Sequence, residues 1–166
     1  RHRRLVEPFV GAMSVALGLE PERALLGDSN PHLINFHQQL RAGLIISGEM
    51  VNESEFYYAC RDRFNEVVRN GTAVGPGAAA LLYYLNRTCF NGLYRVNAKG
   101  KFNTPFGKYK TINYKYDFSE YVDALKNWQL VCGDFASLDV REDDRIYLDP
   151  PFDVEFTSYT AAGFTW

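Results

Sequence analysis

The stretch "RLVEPFVGAMSVALGLEPERALLGD", residues 4–28, decides the fold class. Its two ends, "RLVEPFV" (4–10) and "ALLGD" (24–28), are short and nearly continuous apolar runs. A strand wetted on one face alternates apolar and polar residues, whereas a run without alternation is covered on both faces, as in a parallel sheet. Between the two runs, "GAMSVALGL" is long enough for a short helix starting after Gly11. Strand, helix, strand is the unit from which parallel sheets are built.

Two later runs, "WQLVCGD" (128–134) and "RIYLD" (145–149), have the same unalternated character. After the second strand, Asp28, Ser29 or Asn30 can cap a helix and Pro31 suits its first turn. Leu33, Ile34, Phe36, His37 and Leu40 then repeat at helical spacing. "ESEFYYACRDRFNEVV" (53–68) and "GPGAAALLYYLNRT" (75–88) predict two more helices, and "SEYVDALKN" (119–127) predicts a helix returning to the sheet. This order predicts an α/β domain with an open, doubly wound, mostly parallel sheet. The body comprises residues 1–85 and 117–166, and residues 86–116 form an irregular insertion with a hairpin. Ligands of such sheets sit outside the carboxyl ends of the strands. Three of the four predicted strands end on an aspartate (Asp28, Asp134 and Asp149), and the fourth ends at Gly11.

Composition bounds the rest. Of 166 residues, 46% are hydrophobic and 23% charged, so a core is expected and wholesale disorder is not. No apolar run approaches a membrane span, and "RHRRLVEPFV" lacks the apolar core and cleavage site of a signal peptide. Cys60, Cys89 and Cys132 are odd in number and widely spaced, and His2, His32 and His37 form no ligand pattern with them. Reduced thiols, a cytosolic setting and no metal are expected.

The net charge of −2 hides an uneven distribution. Residues 86–116 carry seven cations (Arg87, Arg95, Lys99, Lys101, Lys108, Lys110 and Lys115) and no anion. Such a segment is either a solvated basic loop or a footprint for a polyanion. Within it, residues 87–109 interleave Phe90, Tyr94, Phe102, Phe106 and Tyr109 with cations, and a purely solvated loop has no use for five rings. Cations suit phosphates, Arg95 suits a guanine edge, and a ring fills the gap left by an extruded base. An aromatic mini-core under a partner-binding loop is the other use for the rings.

The strand ends carry the chemistry. In "EPFVGAMSVALGL" a single glycine, Gly11, lets a ligand approach the backbone, but the three glycines of a pyrophosphate loop are not there. Asp28 suits the two hydroxyls of a ribose. Asp134, beside Phe135, suits a purine amino group whose ring packs on the phenyl face. Each acid alone also suits a structural cap. "DPPF" (149–152) is less easily structural, since Pro150 and Pro151 forbid a normal cap-to-helix continuation. An aromatic exocyclic amine is a poor nucleophile because its lone pair is delocalised into the ring. The Asp149 carboxylate and the Pro150 carbonyl can accept its two N–H bonds, Phe152 can stack on the base, and the prolines keep the corner rigid. No step in this chemistry requires a metal.

"EPFVGAMSVALGL", "FNGLYRVNAKGKFNTPFGKY", "LDPPF" and "FTSYTAAGFTW" together resemble the DNA adenine methyltransferases of the Dam type. The resemblance spans almost the whole chain. It implies a Rossmann-like methyltransferase core, S-adenosylmethionine as cofactor, and methylation of adenine in duplex DNA, commonly in GATC, after base flipping. It places Glu7, Pro8, Phe9, Val10 and Gly11 in the cofactor strand and turn, Asp28 on the ribose, and Asp134 with Phe135 beside the cofactor's adenine. Asp149, Pro150, Pro151 and Phe152 resemble the family's catalytic DPPY, with Phe for Tyr. Phe90 resembles the wedge into the duplex, and Asn91, Leu93, Arg95 and Pro105 resemble the base-reading loop. Arg87, Lys99 and Lys108 complete the expected DNA surface. Met13 stands where the family carries a small residue, and there it is expected to crowd the cofactor turn. The family's KWAGGK-like segment and its later sheet strands have no counterpart in these residues, so the sequence reads as a core truncated at both ends. Two other readings compete: an inactive DNA-binding remnant of such an enzyme, and an amine methyltransferase acting on RNA or protein.

Overall fold

A computed structural model of the chain describes residues 3–150. Pro151 and Phe152 of the DPPF corner lie outside the described residues. The described chain divides into two compact units, one of residues up to Ile45 together with Asp117–Pro150, the other of Ile46–Tyr116.

The first unit is built on a parallel sheet of β1 (Leu5–Glu7), β2 (Ala24–Asp28), β3 (Trp128–Cys132) and β4 (Arg145–Ile146), in the order β3-β2-β1-β4. Val6 pairs with Leu25 on one side and with Ile146 on the other. Leu5–Glu7 and Ala24–Gly27 are buried throughout, as expected for runs covered on both faces. The strands are shorter than the apolar runs that announce them. β1 stops at Glu7 because Pro8 has no N–H to offer the ladder. Of the outer pair, β3 is only partly covered, and both residues of β4 are exposed, against the expectation of a strand covered on both faces. Helices α1 (Ser14–Leu19), α2 (Pro31–Arg41) and α5 (Tyr121–Leu125) complete the unit. Asn30 is the residue that caps α2, accepting from the His32 N–H at 3.0 Å, with Pro31 in the first turn. α5 packs on α2, and Phe118, just ahead of α5, meets Phe36 of α2 edge to face at 6.1 Å. The Trp128 indole N–H donates to the Pro21 carbonyl at 2.8 Å, and the Arg4 guanidinium forks onto Asp144 at 3.0 and 2.7 Å, tying β1 to the turn before β4.

The second unit holds α3 (Ser54–Arg69) and α4 (Gly75–Thr88), which pack on each other. They also seat the segment that follows. The Tyr57 hydroxyl donates to the Thr104 carbonyl at 2.8 Å, and the Asn65 amide brackets Phe102, accepting its N–H at 2.8 Å and donating to its carbonyl at 3.0 Å. Residues 46–85 thus cluster with residues 86–116, although the sequence groups them with the sheet. The insertion forms a hairpin of single bridges: Val96 opposes Phe102, and Asn97 and Lys101 share a hydrogen bond across the turn. Of the five rings in residues 87–109, Tyr94, Phe102 and Phe106 form the mini-core, with Phe102 and Phe106 packing against Phe64 and Tyr57 of α3. Phe90 and Tyr109 face outward.

Candidate functional site

In a parallel sheet every strand delivers its carboxyl end to the same edge. The order β3-β2-β1-β4 therefore sets Asp134, Asp28, Glu7 and Asp149 along one edge in that sequence. The order also reverses there: from β1 the chain moves outward to β2 and β3, then returns to the other side of β1 for β4. Such a switch point opens a crevice between the two strands flanking it. Here those strands are β1, leading into the Pro8–Gly11 turn, and β4, leading into Asp149. Three residues past the Val6–Ile146 pair, one chain has reached Phe9 and the other Asp149. Asp149 is exposed and Pro150 half-buried.

The turn after β1 is anchored from outside rather than by its own contacts. Val10 N–H donates to the Gly27 carbonyl at 2.8 Å, and Gly11 N–H to Asp28 Oδ2 at 3.1 Å. Gly11 has φ 47° and Met13 has φ 62°, so two residues of three are left-handed. A Cβ added at Gly11 would meet nothing within 4 Å, which leaves the space a ligand needs to reach the backbone. Met13 buries its side chain completely while its backbone caps α1.

Each strand-end acid has a distinct setting. Glu7 is 2% exposed. It accepts from the Ala16 N–H in the first turn of α1, its Oε1 has no partner, and burial pushes its carboxyl above the usual range. Asp28 accepts from Gly11 N–H through Oδ2 and from Asn30 N–H through Oδ1, at 2.8 Å. Burial raises its carboxyl too, against the pull of those two bonds. Asp134 is exposed and caps the single 3-10 turn Phe135–Ser137 through the Ala136 N–H. The Phe135 ring lies 5.3 Å from that of Phe9, which brings these two candidates together from β3 and β1. An orphaned buried carboxylate oxygen, an open glycine and a pair of rings fit a nucleoside cofactor with a cationic end.

One residue of this edge is not apparent from the sequence. His37 of α2 is 2% exposed, and its Nε2 lies 2.8 Å from the Gly11 carbonyl. A carbonyl only accepts, so Nε2 carries the proton, and Nδ1 is left buried without a partner. The available signal was a polar residue inside an otherwise apolar helical stripe. Burial pushes the imidazole down to about 4, with the Gly11 bond opposing. The ring is therefore neutral when folded, and its contribution to stability is lost as pH falls from the unfolded value of about 6.5 towards about 4. At the acid end that loss is of order 3 kcal/mol. Glu7 and Asp28 act in the opposite sense, because carboxyls with raised values gain protons on folding. The wild type should therefore lose more thermal stability between pH 6.5 and 4.5 than His37→Gln, which has no titrating group there; parallel melting curves would refute the assignment.

The candidates in the insertion sort differently. Phe90 is 49% exposed on a single 3-10 turn, Phe90–Gly92, that is pinned at several points. Phe90 N–H donates to the Pro105 carbonyl at 2.8 Å, and Asn91 N–H, at φ 53°, to the Tyr109 hydroxyl at 2.8 Å. Thr104 and Cys89 both bond the Leu93 carbonyl. The structure thus brings Phe90, Asn91, Leu93 and Pro105 together. Arg95 donates through Nε to Asn103 Oδ1 at 3.0 Å, and Lys99 and Lys108 are exposed. Arg87 differs from the rest: its Nε and Nη2 both donate to the Asn113 carbonyl, so it ties down its own loop. Among the described residues there is no cluster of His, Cys, Asp or Glu able to hold a metal, and no helix long and apolar enough to cross a membrane.

Residues 1–165 match the model of the D12 class N6 adenine-specific DNA methyltransferases. A "DNA adenine methylase" of Vibrio cholerae serotype O1 is 37% identical over 98% of this chain and 63% of its own length. The one from Escherichia coli K12 is 34% identical over 97% of the chain and 62% of its own. "Type II methyltransferase M1.LlaDCHI" of Lactococcus lactis is 31% identical over the whole chain and 64% of its own. The chain thus spans a little under two thirds of the length of these relatives. Its sheet order, the acids on one edge and the basic, ring-bearing insertion accord with those matches, and the chain belongs to the D12 class of N6 adenine-specific DNA methyltransferases.

Proposed function

We propose that the full-length protein methylates the exocyclic amine of adenine in duplex DNA, at GATC, on a base turned out of the helix. The observation that carries this reading is the switch point, where the anchored Gly11 turn and Asp149–Pro150 share one edge of the sheet. Glu7, Pro8, Phe9, Gly11 and Asp28, with Asp134 and Phe135, hold S-adenosylmethionine, which when bound supplies an electrophilic sulfonium methyl group. Asp149 and the Pro150 carbonyl accept the two amine N–H bonds and draw the nitrogen towards tetrahedral geometry, freeing its lone pair. Pro151 holds the corner, and Phe152 stacks on the base; both roles rest on the family resemblance. Phe90 fills the gap in the duplex, and Asn91, Leu93, Arg95 and Pro105 read base edges. Lys99 and Lys108 contact phosphates, and Arg87 braces the loop beside them. The bacterial relatives support placing the protein in the cytoplasm of a bacterium or of a phage host.

The direct test incubates the full-length protein with labelled S-adenosylmethionine and DNA or RNA, then digests the DNA with enzymes sensitive to adenine methylation at GATC. Label in DNA with an altered GATC digestion pattern is expected. Label in RNA or protein, or tight DNA binding without transfer, would replace the proposal with one of its rivals. The insertion gives a finer test. Arg95→Ala should lower cognate affinity by about 1–3 kcal/mol and relax discrimination at one base pair. Lys108→Ala should weaken all duplexes alike. Titration of cognate and singly substituted duplexes separates the two, and a sequence-selective loss at Lys108 would contradict its phosphate role.

A further inference from the structure

His37 lies outside the set of residues that the chemistry above requires, yet it is buried against the turn that the cofactor must meet. We propose that His37 is a positioning residue for the cofactor turn: by donating from Nε2 to the Gly11 carbonyl, it fixes the Gly11–Ala12 peptide, next to the Val10–Gly11 peptide that Asp28 holds, and so sets affinity for the cofactor. The inference rests on the cofactor reading of this edge. Its physical basis is the weakness of the turn itself. Two left-handed residues, Gly11 and Met13, lie within three positions, and inside the turn the Met13 N–H donates to the Val10 carbonyl at 2.8 Å. The two peptides that flank Gly11 are instead held from outside the turn. The N–H of the first is taken by Asp28 Oδ2 at 3.1 Å, from β2, and the carbonyl of the second by His37 at 2.8 Å, from α2. Without the imidazole donor the Gly11 carbonyl loses its partner in the fold, and the Gly11–Ala12 peptide is free to turn towards water. The N–H bond to Asp28 must then hold the glycine alone. Asp28 is the acid assigned to the ribose, so the error passes directly to the ligand.

A histidine that merely filled space would be replaced by phenylalanine without loss at the ligand. The test therefore compares His37→Phe, which keeps the ring and removes the donor, with His37→Gln, whose amide nitrogen reaches about as far as Nε2. His37→Asn has the same amide on a shorter stem and serves if the phenylalanine variant does not fold. In the full-length protein, isothermal titration with S-adenosylhomocysteine and steady-state methyl transfer are measured together. Loss of one neutral hydrogen bond predicts about tenfold weaker ligand binding and a matching rise in the cofactor KM for His37→Phe or His37→Asn. His37→Gln should stay within about threefold of wild type, and kcat and duplex affinity should change little in all three. Wild-type binding with no loss in the donor-free variants overturns the inference alone. Equal losses in His37→Gln and His37→Phe overturn it as well, since they would show a demand for the ring and not for the donor. Failure of the wild type to bind the ligand overturns the cofactor reading, and this inference with it.

Discussion

Asp149→Ala in the full-length protein should lower the methyl-transfer rate by about 10³-fold while leaving duplex affinity and cofactor affinity near wild type. The size follows from the nature of the nucleophile. The adenine amine is planar, and its lone pair is shared with the ring, so attack requires acceptors on both of its N–H bonds. Alanine removes one acceptor and leaves the Pro150 carbonyl. Asp149→Asn should fall between, because its amide retains one oxygen acceptor but sets a donor beside the other. Asp149 is exposed, three residues beyond β4, so the variant's fold should be intact. Single-turnover rates at saturating DNA and cofactor give the measurement directly. A variant that transfers methyl at the wild-type rate would remove the amine cradle from the mechanism.

The architecture was legible in the sequence because apolar runs without alternation mark parallel strands. All four runs contributed a strand to one parallel sheet, although only β1 and β2 are buried as such runs lead one to expect, while β4 is exposed. The Gly11 turn, the Asn30 and Pro31 helix start and the hairpin within the insertion were likewise written in local residue types. Long-range packing was not. Nothing in "ESEFYYACRDRFNEVV" announces that Tyr57 and Asn65 will seat the backbone of Thr104 and Phe102. The division of the chain at Ile45 and Asp117 is a consequence of such contacts, which have no local signature. Arg87 shows the same limit from the other side. Counted with the cations of a basic segment, it spends two of its donors on the Asn113 carbonyl. His37 looked like one more member of a helical stripe; only the fold brings its ring back to Gly11.

Gly107→Ala tests whether the insertion works as a shaped surface or merely as a charged one. The segment's charge is untouched by this change, so a purely electrostatic binder should not notice it. The geometry predicts otherwise. A Cβ at residue 107 would lie 2.5 Å from the Tyr109 ring, 2.8 Å from the Cys89 carbonyl oxygen and 2.9 Å from that of Thr88. The ring can swing aside, but the two carbonyls are backbone at the end of α4. Gly107 N–H is itself bonded to the Thr88 carbonyl at 2.8 Å, so retreat from the clash breaks that bond. Overpacking of this kind costs about 1–3 kcal/mol and moves backbone. Any swing of Tyr109 also removes the hydroxyl that accepts from Asn91 N–H, and with it the pin on the turn that presents Phe90. Specific duplex affinity should therefore fall by about 30-fold or more, towards the affinity for unrelated DNA, while S-adenosylhomocysteine binding stays near wild type. Tyr109→Phe, which keeps the ring and loses only the acceptor, should show a smaller loss in the same direction. Undiminished specific binding by Gly107→Ala would mean that charge alone drives recognition, and the wedge and base-reading roles given to Phe90, Asn91 and Leu93 would have to be withdrawn.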